Sequence, residues 1–188
     1  MPSNRVLLAI LGVVIVLLIG IGFVTGRLPV PEVGALGNLV GGLRTTPQST
    51  ATIDSTSLLH VEYGMLVYLI LWMIVPDAPA HYRFMVAVGI GAGSILIENS
   101  AFINDRYRDT TVSVRNFGTN IMSSVADVLM IAIGSLIGWR APLWLSIALA
   151  LTLELFLALW VRTNLTLTVI TFFYPVASIK SWQAAVPH

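Results

Sequence analysis

The sequence contains no cysteine and only three histidines. That excludes a disulfide framework, a thiolate nucleophile and a Cys-based metal or cluster site, and it leaves little scope for a histidine-rich one. Charge is equally scarce. Ten basic and nine acidic residues make up 10% of a 188-residue chain, where a soluble globular domain carries roughly 25%. The two signs nearly cancel, at a net +1, which argues against a polybasic lipid-binding surface, an acidic tail or a nucleic-acid footprint. In place of charge there is apolar surface. Hydrophobic residues reach 56% and the mean hydropathy is +0.88, values that belong to an integral membrane protein. The expected fold is all-α, a single membrane domain built as a polytopic transmembrane helix bundle.

Charges and prolines mark out the spans. Between Arg5 and Arg27 lie 21 uncharged residues, and residues 6–24 are an apolar run able to cross roughly 30 Å of hydrocarbon as a helix. A secretory signal would have a shorter core and a small-residue cleavage site, so a retained anchor is expected. Residues 27–57, rich in Gly, Pro, Thr and Ser, form an extramembrane loop long enough to be a partner surface. Further spans are expected at 58–75, 84–97, 116–139 and 141–161, giving five. Residues 98–115 form a second loop. The apolar stretch 165–174 is short and ends at Pro175, so 165–183 is expected to be a re-entrant or interfacial segment resting on Lys180 and Trp182. The distribution of arginines favours an external N-terminus.

Glycines four apart, Gly22 with Gly26, Gly89 with Gly93 and Gly134 with Gly138, are candidates for close helix packing within the chain. No internal repeat of the transporter type stands out.

Ionisable side chains inside spans demand partners or water. Glu62 stands one turn into the second span, Glu98 ends the third, Asp127 is mid-fourth and Glu154 mid-fifth. Ser123 and Ser124 share a helical side with Asp127, and Arg162 shares a face with Glu154 two turns on. These residues suit either an acid–base cluster or buried structural pairs. Six charges crowd between Glu98 and Arg115. There Arg106 and Arg108 flank Tyr107 and could clamp an anionic headgroup or phosphate, or pair with Glu98, Asp105 and Asp109. His60, at a helix start, could be a base or a ligand, but an interfacial histidine with no special role is the plainer reading. Asn164-Leu165-Thr166 matches a glycosylation sequon, a weak pattern that carries no weight here.

One set of residues resembles a known family. Glu98-Asn99-Ser100, Arg106-Tyr107-Arg108, Gly118, Asp127, Glu154-Leu155-Phe156, Arg162, Asn164-Leu165-Thr166-Leu167, Pro175, Lys180, Trp182 and Gln183 are similar to the motif set of an uncharacterised family of small bacterial inner-membrane proteins, a domain of unknown function. The likeness runs from Gly26 to Gln183. It implies a multi-pass inner-membrane location and a shared fold, and no particular reaction.

The departures matter as much. Where the family pattern has a glutamine–histidine pair, this chain has Thr50 and Ala51, and Tyr63 replaces a second histidine. Two glutamates and a tryptophan become Gly91, Ile95 and Ser94. A polar run beyond the arginines becomes Arg115, Asn116, Phe117, Gly118, Thr119 and Asn120, with Ser123 replacing an asparagine. Ionisable groups are selectively missing, as in a homologue kept for its shape.

These observations lead to the expectation of a non-catalytic accessory or structural subunit of a larger inner-membrane assembly, respiratory or photosynthetic. Its partners would be membrane lipids and other membrane subunits, with no nucleic acid. No metal or cofactor is expected, and the apolar surface leaves room for a bound lipid or pigment. His60, Glu62, Glu98, Asn99, Asp127, Glu154 and Arg162 would then be structural polar groups. The alternative is a membrane-embedded enzyme acting on a lipid-linked or anionic substrate, with Glu98 or Asp127 as acid–base and Arg106 and Arg108 as the anion clamp. A transporter would need a polar path through the bilayer midplane, for which two mid-span carboxylates are a thin basis.

Overall fold

The computed structural model describes residues 4–27, 29, 57–100, 102, 103 and 121–184. Among them are seven α-helices and no strand: α1 (Asn4–Val24), α2 (Ser57–Ile74), α3 (Ala80–Glu98), α4 (Ile121–Arg140), α5 (Leu143–Trp160), α6 (Leu165–Phe173) and α7 (Ala177–Ala184). Among the described residues, helices α2, α3, α4 and α5 are long and apolar enough to cross a membrane, and α1 is a helix of 21 residues with an apolar stretch at Leu8–Val24. The chain is therefore a helical bundle of membrane type.

Prolines set several boundaries. Pro79 caps α3 with φ −56° and ψ 138°, so the helix begins at Ala80, four residues before the apolar run expected from 84. His81, Tyr82 and Arg83 belong to its first turn. Pro142, also extended, starts α5 at Leu143. A proline fits before or at the first helical position because its missing N–H would have no intrahelical partner there. Helix α4 is described from Ile121; residues 116–120 of the expected span lie outside the described residues, as does most of the 27–57 loop.

Helix α1 ends in a Schellman motif. Gly26 adopts φ +73°, Arg27 N–H donates to the Gly22 carbonyl at 3.0 Å and Gly26 N–H donates to that of Phe23 at 3.1 Å. Gly26 is thus a helix stop, placed where only glycine takes a left-handed conformation without strain. Nothing lies within 4 Å of where its Cβ would be, so it is not a packing contact.

The core is formed by α2, α3 and α4, with α1 against α3 and α4. Met65, Tyr68, Ala87, Val88, Ile95, Val128 and Ile131 are buried there. The tightest contact is the seam between α2 and α4. A Cβ on Gly64 would strike the Ile131 carbonyl, and one on Gly134 would strike that of Val61. Ser135 Oγ donates to the Gly64 carbonyl at 3.0 Å across this seam. In lipid, hydrophobicity hardly distinguishes a neighbouring helix from acyl chains, so close van der Waals approach and interhelical hydrogen bonds hold such helices together.

Gly138 faces Tyr68 and Met65, and Gly22 faces the Ile121 side chain, so both are packing glycines. Gly89 and Gly93 have nothing within 4 Å of an added Cβ; their spacing does not mark a contact. Gly91, between them, lies 2.5 Å from Ile131 Cγ2 by the same measure and is the packing glycine of α3.

Residue order along the seam shows that α2 and α4 run parallel: His60 meets Asp127, Gly64 meets Ile131 and Tyr68 meets Gly138. The ends of α1, α3 and α5 and the starts of α2, α4 and α6 consequently gather at one end of the bundle. The α2–α3 and α4–α5 turns lie at the other.

Candidate functional site

Most of the polar residues singled out in the sequence collect at the first of these ends. His60 Nδ1 lies 3.3 Å from Asp127 Oδ1, with the two side chains 16% and 19% exposed. The nitrogen lacks the geometry of an aligned hydrogen bond, so the contact is a close polar approach of α2 to α4. His60 is therefore more than a histidine that happens to sit at an interface. On α3, Asn99 Nδ2 donates to Ser124 Oγ at 3.1 Å. The Asn99 carbonyl in turn accepts from Arg27 Nη2 at 3.1 Å. Asn99 thereby ties α3 to α4 and to the end of α1. Glu98, Ser123 and Asp127 are engaged in further interactions.

The opposite side of α2 carries Glu62, fully buried at 0% exposure. Glu154 on α5 is its ionisable neighbour. Among the described residues, neither Glu62 oxygen nor Glu154 Oε2 has a hydrogen-bond partner. Residues 60 and 62 are about 200° apart around a helix, which is how α2 presents one ionisable group to α4 and another to α5.

Glu154 is fixed from its other side. Its Oε1 accepts from both the backbone N–H and Oγ1 of Thr166, each at 3.0 Å. Asn164 is the N-cap of α6, with Oδ1 accepting from Leu167 N–H at 2.7 Å while its Nδ2 donates to the Glu154 carbonyl at 3.2 Å. A carboxylate and an amide oxygen at a helix N-terminus satisfy backbone donors that have no partner inside the helix and meet the positive end of its dipole. The Asn164-Leu165-Thr166 run is thus a helix start.

Arg162 does not continue the Glu154 face. Helix α5 ends at Trp160, and Arg162 takes φ 57°, turning the chain away. Its Nη1 donates to the Trp182 carbonyl at 2.7 Å, its guanidinium lies 5.4 Å from the centre of the Trp182 ring, and its carbonyl accepts from Gln183 Nε2 at 3.0 Å. The chain leaves Arg162 along α6, turns at Pro175 and returns along α7 to the same residue. The expected 165–183 segment is therefore two short helices forming a clasped hairpin. Arg106 and Arg108 lie outside the described residues.

Several participants carry no distinguishing signal in the sequence. Gly64 and Gly91 are isolated glycines with no partner four residues away, and Ser135 looks like any small residue in a span. Thr166 is visible only as part of a weak motif. Arg83 reads as a boundary marker, yet it is buried.

An all-helical bundle with four potential spans and an internally tied polar end defines the class as a small multi-helix membrane-type protein. Within that class, residues 22–185 match the family described as Protein of unknown function (DUF2585), and the chain belongs to that family. It is 40% identical over 161 residues to the UPF0314 protein of Brucella anthropi, covering 86% of this chain and 82% of that one. To UPF0314 protein Atu8092 of Agrobacterium fabrum it is 35% identical over 165 residues, covering 88% and 83%. To UPF0314 protein R03235 of Rhizobium meliloti it is 34% identical over 180 residues, covering 96% and 91%. No solved structure matches the chain.

Proposed function

We propose that the chain is a non-catalytic, multi-pass accessory subunit of a larger bacterial inner-membrane assembly, respiratory or photosynthetic. One observation carries the reading. The polar contacts described at the polar end join one helix or segment to another: His60 to Asp127, Asn99 to Ser124, Arg27 to Asn99, Glu62 to Glu154, Glu154 to Thr166 and Arg162 to Trp182. Groups used this way hold a shape. The selective loss of ionisable residues implied by the family resemblance points in the same direction. The outer faces of α1 and α5 are apolar, with Leu8, Val16, Leu151 and Leu159 all exposed, and suit lipid or a neighbouring subunit. Extraction of tagged full-length protein from membranes in mild detergent tests this reading. The expected result is a stoichiometric assembly with other membrane proteins; a stable monomer free of any partner would overturn it.

A second reading is favoured by the Glu62–Glu154 contact. Two neighbouring carboxyls with no donor between them can form a hydrogen bond only if one carries a proton, and a proton held inside a membrane bundle can take part in acid–base chemistry. Infrared difference spectra across pH steps separate the two readings. A protonated-carboxyl band, absent from the Glu62→Gln variant, that stays constant between about pH 5 and 9 is expected of a structural pair. A band that titrates reversibly in that range would favour proton exchange.

A further inference from the structure

At the end of the bundle opposite the polar residues, a cavity of about 350 Å³ opens between the two helix–helix turns, within the ~300–1,000 Å³ range of small-molecule sites. Its walls include Tyr68, Trp72, Arg83, Gly138, Trp139 and Ala141. The lining combines aromatic, aliphatic and small side chains with a single cation. Arg83 is only 9% exposed.

The Arg83 guanidinium lies 5.8 Å from the centre of the Tyr68 ring, and among the described residues no carboxylate answers its charge. Its Nη1 donates to the carbonyls of Pro76 at 2.8 Å and Val75 at 3.3 Å, just past the end of α2. The carbonyl end of a helix supplies roughly half a negative charge and the ring face a partial one, neither of which is a full counter-charge. Its Nε is buried without an acceptor, and among the described residues Arg83 forms no ion pair. Around it the balance is positive. Helix α3 begins beside it at Pro79 with no side-chain cap, leaving the positive end of a 19-residue helix dipole unanswered. Arg140 stands over the Trp139 ring at 5.2 Å. Asp77, in the same turn as Pro76, is exposed.

We infer that this cavity is a binding site for a phosphate-bearing headgroup, with Arg83 as its anchor and an anionic phospholipid as the ligand. Arginine offers a planar fork of donors matched to phosphate oxygens. Trp72 and Trp139 are the residue type that settles at headgroup depth. Trp72 and Leu143, at the cavity's rim, are exposed on the apolar flank where acyl chains would lie. The inference rests on the membrane placement proposed above but not on any partner subunit.

The experiment uses full-length protein in nanodiscs of phosphatidylcholine, titrated with brominated phosphatidylglycerol or brominated phosphatidylcholine while tryptophan fluorescence is followed. Trp72 and Trp139 at the cavity should be quenched preferentially by the anionic lipid, with an apparent preference of about fivefold for one arginine contact. Arg83→Gln should abolish the preference. Because that change also removes a helix cap, Ala141→Phe serves as a second variant that fills the cavity and leaves Arg83 in place; it too should lose the preference. Inorganic phosphate distinguishes the sources: no competition at millimolar levels in the unaltered protein supports the lipid, whereas loss of the preference at those levels would overturn the lipid as ligand and leave free phosphate. Equal quenching by both lipids in the unaltered protein, or a preference unchanged in both variants, would overturn the site. Retention of the protein in carbonate-washed membranes reads the membrane placement separately.

Discussion

The α2–α4 seam and the α5–α7 arm hold together by different physics. At the seam, Gly64 and Gly134 let two backbones touch, with the Ser135 hydroxyl bonding across. The contact consists of many weak dispersion terms, each requiring the absence of a side chain. In the arm, Glu154, Asn164 and Arg162 carry a few directional bonds between short segments, and α5 itself is mostly exposed along its length, with Ser146, Ala150 and Leu157 buried. One region resists local change until it is wedged apart. The other depends on a handful of side chains.

The sharpest way to break this contrast is to wedge the seam. Gly134→Leu, which places a branched side chain against the Val61 carbonyl, should cost at least ~3 kcal/mol and is expected to abolish a cooperative thermal transition in detergent. In the arm, Asn164→Ala removes a cap and a bond to α5 and should cost about 1–2 kcal/mol. Its signature is regional: faster hydrogen exchange across 162–184, with the amides of α2 and α4 unchanged. An equal loss of protection in α4 would show that the two regions are one cooperative unit. The smallest effect is of opposite sign. Gly89→Ala adds a methyl group where there is open space, and the gain in helix propensity should raise stability by roughly 0.5–1 kcal/mol, seen as a modest rise in Tm. A fall would mean that the exposed face of α3 is packed against something in the membrane.

Long apolar runs make the helices legible in the sequence, because a bilayer of fixed thickness imposes their length. Boundaries follow the sequence only where proline dictates them, and Pro79 moves the start of α3 back by a turn into residues that look polar. Glycine spacing is a poorer guide. Gly89 and Gly93 have the packing spacing but face open space, while Gly64 and Gly91 pack without it. Periodicity says which residues share a face, not which neighbour covers that face. The intramembrane carboxylates are conspicuous as a cost that needs an answer, but their partners come from other helices: Asp127 meets His60, and Glu62 meets Glu154. Arg162 departs from its expected place for a local reason, since its left-handed backbone ends the helical register that would put it on the Glu154 face.

The parallel pairing of α2 and α4 also sets an order of events during biosynthesis. The Ser135–Gly64 bond joins residues 71 apart, and the helix that completes the seam is made only after α3 has reversed the chain. During that interval the notch at Gly64 and the buried side of His60 are uncovered within the membrane. Assembly of the bundle is thus a matter of timing as well as fit: α2 must wait for its mate, and variants that slow the insertion of α4 should expose α2 to degradation even when every contact of the finished bundle is intact.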